Sequence, residues 1–262
     1  EKSVMSERFS RGNIEKYWAE FWGTLFLTLT VNQVSPRFGN AFFIVGLSVL
    51  VIVFCIGHIS KAHINPSLTL AFLFRNDTPK SMSFNDKFHV LMYLVSQYIG
   101  ALSGGFISYM IGGSESAAIE FYIRKYDSGK KKYFEAFMGE LVYTFFLCYV
   151  ILQMATDKRL NNNQFYGLVA GCVVIVCVIS LGNISGGCLN SALWLGCIVP
   201  AIINNPKDST IEDCWVYLIA PFIGGLLSGI IFNKFYDDTI DRRVSYNESK
   251  RTKNNTAQQN MI

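Results

Sequence analysis

The sequence predicts an all-α integral membrane protein with six transmembrane helices, two re-entrant half-helices and an inverted internal repeat. Hydrophobic residues make up 51% of the 262 residues and charged residues only 16%, so we expect most of the chain outside loops to lie in lipid or against other helices. Six apolar stretches approach the roughly 20 residues that a spanning helix needs. A polar motif that occurs twice, each time before a shorter apolar run, predicts the two half-helices.

The six spans are identified by length and hydropathy, and none shows the sustained period-two alternation of a β-strand. They lie at about residues 17–33, 41–57, 88–110, 134–154, 165–182 and 214–233. The seven cysteines fall mostly inside the spans, without the spacing of a metal site or a disulfide framework. We therefore expect packing roles for them, and we expect no catalytic residue, bound metal or cofactor.

The repeated polar motif occurs once in each half of the chain. It reads Ser60-Lys-Ala-His-Ile-Asn65-Pro66-Ser67 in the first half and Ser185-Gly-Gly-Cys-Leu-Asn190-Ser191-Ala192 in the second. Each copy precedes an apolar run of about ten residues, which is too short to cross a bilayer alone. Asn is a strong helix N-cap, and Pro is well tolerated in a first turn. The motif therefore predicts two half-helices capped by Asn65 and Asn190.

Each half of the chain also has an acidic residue near the start of its first span, Glu20 or Glu140, followed by two further spans with the half-helix motif between them. Because three spans is an odd number, the two halves must have opposite orientations, an arrangement typical of transport proteins. We expect inverted repeats at about 17–110 and 134–235, within one membrane domain of residues 17–236. The polar segments 1–16 and 237–262 are predicted to be cytoplasmic tails, the second of them disordered.

The distribution of Lys and Arg predicts the orientation of the chain. With a cytosolic N-terminus, 16 of the 23 Lys and Arg residues fall on the cytosolic side, as the positive-inside rule requires. Both termini are therefore expected in the cytosol. The basic run from Arg124 to Lys132 then lies on the opposite side, where we expect a solvated loop.

In the order and spacing of these features, the sequence resembles the aquaporin, or major intrinsic protein, family. The resemblance extends from Glu20 to about Tyr236. Besides the two Asn motifs and the two acids, the shared features are Gly23-Thr24, Gly57 to Ser60, His63, Gln97 with Gly100, Ala101 and Gly104, Thr144, Ala155 to Asp157, Gly186, and Trp215 to Tyr217 with Pro221 and Gly224.

The resemblance implies a pore where the two half-helices meet head to head at the middle of the membrane. It implies that Glu20 and Glu140 accept hydrogen bonds from the backbone of the re-entrant loops. Backbone carbonyl groups would line the pore as a ladder of acceptors, contributed by Lys61, Ala62, His63 and Ile64 and by Gly186, Gly187, Cys188 and Leu189. The positions of the family's selectivity filter fall on Val45, Val178, Gly187 and Leu193.

The chain departs from the family pattern at this filter and at the caps. Water filters in the family typically combine Phe, His and Arg, and glycerol filters keep the Arg, whereas Leu193 occupies the position of that Arg here. We therefore expect an apolar filter without a fixed charge. In the motifs, Ser67 replaces Ala and Ser191 replaces Pro. Lys61 replaces a Gly, and its ammonium would lie in the cytoplasmic vestibule or extend to the lipid headgroups.

The expected function is a passive channel for water or small neutral solutes such as glycerol, urea, ammonia or hydrogen peroxide, in a plasma or internal membrane. The resemblance also implies a homotetramer with one pore per subunit, with the lipid bilayer and no nucleic acid as partners. Two alternatives stay open. One is an atypical pore that leaks ions, because the filter has lost its positive charge. The other is a non-conducting structural or adhesion protein that keeps the fold.

Overall fold

The computed structural model describes residues 9–34, 41–75, 87–112, 121–156, 160, 164–204 and 210–236. A 3₁₀ helix at Thr210–Asp213 directly precedes the last α-helix. The α-helices in these ranges are α1 (Arg11–Gln33), α2 (Ala41–Ser60), α3 (Pro66–Leu73), α4 (Lys87–Gly112), α5 (Tyr133–Thr156), α6 (Tyr166–Leu181), α7 (Ser191–Asn204) and α8 (Cys214–Tyr236).

The predicted fold class is confirmed, with α3 and α7 as half-helices and the other six as spanning helices. By length and composition, four segments could each cross a membrane: α2, α4, α5 and Ile211–Phe235, which contains most of α8. Helix α1 is less apolar because every fourth residue of one stripe is polar and fully buried: Glu20, Thr24, Thr28 and Asn32. Its opposite face is exposed and aromatic, at Trp18, Trp22 and Phe26. Helix α1 therefore has its polar side toward the protein and its apolar side outward, which is the arrangement expected of a helix in lipid.

The boundary of the first predicted span differs from the observed helix. We expected the first span to begin at about residue 17, and α1 already begins at Arg11. The first turns carry an Arg11 to Glu15 ion pair of 3.0 Å at helical i, i+4 spacing. Hydropathy therefore located the start of the apolar segment, and the helix extends beyond it into a polar environment. The predicted tail at 237–262 lies outside the described residues.

Half-helix α7 is longer than expected, with 14 residues against 8 in α3. It continues through Pro200, which cannot donate a hydrogen bond to the carbonyl four residues earlier. That carbonyl belongs to Gly196, and the side-chain amide of Asn32 lies 3.5 Å from it. A buried polar group of α1 thus replaces the lost helix donor and supports the longer helix.

Two pairs of adjacent glycines hold the half-helices against spanning helices. An added Cβ at Gly104 of α4 would lie 2.4 Å from the Leu25 carbonyl oxygen of α1. One at Gly105 would lie 2.1 Å from the Gly196 carbonyl oxygen of α7. The second repeat has the same arrangement. At Gly224 and Gly225 of α8, a Cβ would lie 2.4 Å from the Leu141 oxygen and 2.2 Å from the Ser67 oxygen. Small residues allow such backbone contact between helices in lipid. In each repeat one helix therefore packs tightly on both a spanning helix and a half-helix.

The basic run expected as a solvated loop forms a short hairpin instead. Lys125 and Lys131 form an antiparallel bridge. The expectation is wrong for Lys131, whose side chain is only 15% exposed and contacts Asp213 at 2.8 Å and also Glu212. Although partial burial opposes the effect, these two carboxylates raise the pKa of Lys131 above its ordinary value. The ion pairs attach the hairpin to the segment that precedes α8.

We predict that Gly225→Ala destabilises the protein, because the new methyl group would overlap the Ser67 carbonyl oxygen of α3. The expected cost is about 1–3 kcal/mol, typical of overpacking, and it is measured as a lower thermal midpoint in detergent by tryptophan fluorescence. Gly12→Ala is the matched control, because nothing lies within 4 Å of a Cβ at that position. Equal midpoints for the two variants would contradict the close packing of α3 on α8.

Candidate functional site

Both Asn residues of the repeated motif are N-caps. The Asn65 side-chain oxygen accepts a hydrogen bond from the Ser67 N–H at 2.9 Å, and Pro66 is the first residue of α3. The Asn190 oxygen accepts from the N–H groups of Ala192 and Leu193 at 3.1 and 3.2 Å. These bonds satisfy backbone donors that have no partner within a helix.

The two caps are joined by reciprocal hydrogen bonds across the centre of the molecule. The Asn65 amide donates to the Leu189 carbonyl at 2.9 Å, and the Asn190 amide donates to the Ile64 carbonyl at 2.8 Å. Each cap therefore binds the loop that leads to the other cap. This arrangement brings two helix N-termini together, each with a partial positive charge of about half an elementary charge.

A buried carboxylate holds the loop before the first cap. Glu20 is fully buried and accepts hydrogen bonds from the Ser60 hydroxyl at 2.6 Å and from the N–H groups of His63 and Ile64 at 2.9 and 2.7 Å. The Gln97 amide of α4 donates to the same carboxylate at 2.8 Å. All of these donors come from elements other than α1, so one side chain fixes the loop to the helix bundle.

Glu140 holds the second loop in the same way. It accepts from the Ser185 hydroxyl at 2.6 Å and from the N–H groups of Cys188 and Leu189 at 3.0 and 2.7 Å. A tyrosine also binds the start of each loop. The Tyr93 hydroxyl donates to the Ser60 carbonyl at 3.0 Å, and the Tyr217 hydroxyl donates to the Ser185 carbonyl at 2.7 Å. The site therefore has approximate two-fold symmetry in its hydrogen bonds.

The loops adopt left-handed backbone conformations to direct consecutive N–H groups at one carboxylate. The values of φ are +73°, +50° and +42° at Lys61, Ala62 and Ile64, and +83°, +68° and +57° at Gly186, Gly187 and Leu189. A left-handed conformation costs a non-glycine residue roughly 1–2 kcal/mol. The first loop has three such residues and the second has one. The hydrogen bonds to Glu20 thus stabilise a more strained loop.

A cavity of about 70 Å³ lies beside the two caps. One water molecule needs roughly 10–15 Å³ by a comparable measure, so the cavity has room for several. It is lined by Leu27 and Val31 of α1, Val45, Val49 and Val53 of α2, Leu147 and Ile151 of α5, Ala170, Val174 and Val178 of α6, Leu68 and Leu193 of the half-helices, the loop residues Ala62 to Asn65 and Gly186 to Asn190, and Phe121 and Tyr166.

The structure brings most of the sequence-predicted site residues to this cavity. Val45, Val178, Gly187 and Leu193 line it together, as do the two Asn caps and seven of the eight loop residues. Lys61 is the eighth, and it is not among the lining residues. Its carbonyl group accepts a hydrogen bond of 3.4 Å from the Tyr166 hydroxyl. Pro66, Ser67, Ser191 and Ala192 form the first turns of the half-helices behind the cavity.

His63 contributes a polar ring to the cavity wall. Its Nδ1 lies 3.2 Å from the Thr69 hydroxyl, and its ring stacks on Phe72 with a centroid distance of 4.4 Å. These contacts fix the orientation of the imidazole relative to α3. Together with the two Asn amides, it provides polar atoms along a wall that is otherwise mostly apolar.

Sequence reasoning missed the aromatic side chains around the filter positions. Phe121 is 6% exposed and lines the cavity from the hairpin that precedes α5. Its ring lies 6.2 Å from that of Tyr217, which stacks on Trp194 at 5.8 Å with an interplanar angle of 13°. Leu193 precedes Trp194 in the chain, so this aromatic row ends next to a predicted filter residue. No periodic signal identifies Phe121, because it lies outside the helices.

Comparison with known proteins identifies the family. The family model of the major intrinsic proteins matches residues 8–232. The chain is 32% identical over 235 residues to Aquaporin NIP1-1 of Oryza sativa subsp. japonica, covering 86% of this chain and 75% of that protein. It is 30% identical over 230 residues to Nodulin-26 of Glycine max, covering 84% and 77%.

The fold has a close counterpart among solved structures. The aquaglyceroporin from Plasmodium falciparum superimposes with a TM-score of 0.72 at 21% identity, covering 87% of this chain and 99% of that one. This likeness supports the fold of six spanning helices and two half-helices. Together with the match of the family model to most of the sequence, it confirms the resemblance noted in the sequence: the chain belongs to the major intrinsic protein family.

Proposed function

We propose that the cavity beside the two Asn caps is the conducting path and that Val45, Val178, Gly187 and Leu193 form an apolar selectivity filter in it. The protein is a membrane channel for water and small neutral solutes rather than an enzyme, because it belongs to a family whose named relatives are aquaporins. Family membership does not favour the ion-leaking or structural alternatives. The observation that carries the proposal is the convergence of both caps and all four filter positions on one cavity.

The caps discriminate against cations. Two helix N-termini face each other at the Asn65 and Asn190 amides, and their partial positive charges repel a cation. A small ion that entered would also lose its hydration shell between apolar walls without adequate replacement. A neutral solute instead exchanges hydrogen bonds with water for bonds to the carbonyl and amide groups of the loops. The arrangement therefore favours neutral solutes even though the filter has no fixed charge.

The filter favours solutes that are larger or less polar than water. Three of its side chains are aliphatic, and Gly187 has none. A Cβ at Gly187 would lie 2.9 Å from the Val178 Cα, so the second loop packs directly on α6. With no side-chain donor among the four residues, a solute with its own apolar surface, such as the C–H backbone of glycerol, loses less on entry than water does.

We also infer that Glu20 and Glu140 are loop anchors and that the protein is a homotetramer with both termini in the cytosol. The anchoring rests on three hydrogen bonds from each loop to its carboxylate. The exposed aromatic face of α1, at Trp18, Trp22 and Phe26, is suited to lipid or to another copy of the chain. The orientation follows from the excess of Lys and Arg on the side of the termini.

We predict that Leu193→Trp suppresses glycerol and urea flux by about ten-fold or more, because the bulky indole ring would fill the filter. Osmotic flux into proteoliposomes is measured by stopped-flow light scattering, with empty liposomes as the baseline. Leu193→Met is the matched control, since it keeps the volume and the apolar character. Unchanged glycerol flux in Leu193→Trp would contradict the placement of the filter. Wild-type flux equal to that of empty liposomes would contradict the conducting function.

Phe121→Ala is expected to raise glycerol flux by about two- to five-fold relative to water flux, because removal of the ring widens the cavity beside the filter. The same light-scattering assay provides both rates. Tyr122→Ala is the control, because Tyr122 is the next residue of the hairpin and is 48% exposed. A ratio of glycerol to water flux that is identical in the two variants would place Phe121 outside the conducting path.

Glu140→Gln is expected to destabilise the fold and reduce flux, because an amide replaces one acceptor oxygen with a donor and leaves a loop N–H unsatisfied. The cost of an unsatisfied buried donor is about 1–3 kcal/mol. The thermal midpoint in detergent measures the stability, and flux is normalised to the amount of reconstituted protein. Glu135→Gln on the same helix serves as the control, because Glu135 accepts a hydrogen bond from Tyr126 of the hairpin and not from a re-entrant loop. A Glu140→Gln protein with wild-type stability would contradict the anchoring role.

A further inference from the structure

The two half-helices differ at the residue that follows each Asn cap. In α3 this residue is Pro66, and in α7 it is Ser191. A proline ring fixes φ near −65° and carries no N–H, so it makes the first helical turn rigid without any external contact. Serine has no such constraint. The second cap therefore requires another source of rigidity if it is to remain as well positioned as the first.

A tyrosine of the neighbouring spanning helix contacts this serine. Ser191 is fully buried, and its hydroxyl oxygen lies 2.8 Å from the hydroxyl oxygen of Tyr98 on α4. Helix α4 is a rigid support at this point because its backbone packs directly on α7. A Cβ added at Gly196 would lie only 2.4 Å from the Ala101 carbonyl oxygen. The hydrogen bond therefore connects the first residue of α7 to a firmly packed neighbour.

We propose that Tyr98 is a positioning residue for Asn190, and that its hydrogen bond to Ser191 replaces the constraint that the ring of Pro66 provides in the other half-helix. Tyr98 is not among the residues that line the cavity, so it acts on the solute only through the cap. The proposal rests on the proposed function, since it assigns Tyr98 a part in conduction.

The position of Ser191 explains how this bond affects the pore. Asn190 precedes it, and the Asn190 oxygen bonds to the N–H groups of Ala192 and Leu193 on its other side. A rotation of Ser191 would therefore move the cap and the filter residue Leu193 together. It would also disturb the bond of 2.8 Å from the Asn190 amide to the Ile64 carbonyl, which joins the two caps.

The test is a set of variants assayed for urea and water flux in proteoliposomes. Tyr98→Phe and Ser191→Ala each remove one hydroxyl group. Each is expected to lower flux per channel by about three-fold, because losing the free energy of one buried hydrogen bond reduces the population of correctly positioned caps by about that factor. Ser191→Pro is expected to keep wild-type flux. In the Ser191→Pro background, Tyr98→Phe is expected to have no further effect, because the ring then fixes the turn. Tyr109→Phe, about 16 Å further along the same helix, is the control.

When the wild-type protein conducts, either of two flux results would overturn the proposal. One is an undiminished flux in Tyr98→Phe. The other is an equal loss from Tyr98→Phe in the wild-type and Ser191→Pro backgrounds, which would indicate a general effect on helix packing. If Ser191→Pro does not fold, the Ser191→Ala background takes its place. There Tyr98→Phe is again expected to add nothing, and an additive loss would overturn the proposal.

A second measurement separates failure of this proposal from failure of the proposed function. Hydrogen exchange at the Ala192 and Leu193 amides reports on the Asn190 cap whether or not the protein conducts. Exchange is expected to be about three-fold faster in Tyr98→Phe and unchanged in Tyr109→Phe. Wild-type flux equal to that of empty liposomes, together with this faster exchange, would reject the conducting function and retain the positioning of Asn190 by Tyr98. Unchanged exchange in Tyr98→Phe would reject the positioning role.

Discussion

The structure depends on two buried carboxylates. They accept hydrogen bonds from the N–H groups of non-helical backbone in the middle of a membrane protein. In hydrocarbon, each unsatisfied backbone N–H costs several kcal/mol, so irregular chain is stable there only when protein groups provide its partners. Glu20 and Glu140 each accept two loop N–H groups and one serine hydroxyl. Without these acceptors the loops could not keep their left-handed backbone conformations, and the half-helices could not begin at the centre of the fold.

The two halves of the chain hold their re-entrant loops and half-helices in place with different residues. The first loop contains three non-glycine residues with positive φ, and it is held by an additional bond from Gln97 to Glu20 and by Pro66 at the start of its half-helix. The second loop has glycine at two of its three positive-φ positions, so it is less strained. Its half-helix begins with Ser191 and depends on a neighbouring helix for support. Backbone strain in the first loop is thus offset by one set of contacts. The flexibility of the first turn of α7 is offset by another.

The chemistry of the proposed conducting path follows from the residues that surround the two re-entrant loops. The polar atoms come mainly from the loop backbone, the two Asn amides and His63, while the walls are aliphatic or aromatic side chains of α1, α2, α5 and α6. In the proposed function, selection against ions is therefore concentrated at the helix N-termini, because the proposed filter has no charged residue. In the proposed function, selection among neutral solutes depends on the size of an apolar opening, and Phe121 lines the same cavity. The Lys131 to Asp213 ion pair holds the hairpin that follows Phe121.

Features that depend on local pattern could be predicted from the amino-acid sequence alone. Apolar length determined the six spans, and the repeated Asn motif determined the half-helices, because membrane thickness and N-cap chemistry act on neighbouring residues. The tertiary structure decided what depends on distant residues. The start of α1 at Arg11, the continuation of α7 through Pro200 and the burial of Lys131 each required contacts or surroundings that hydropathy does not encode. The sequence also did not predict that Phe121 lines the cavity or that Tyr98 contacts Ser191. The partners of both residues lie far away in the chain and meet them only when the helices pack.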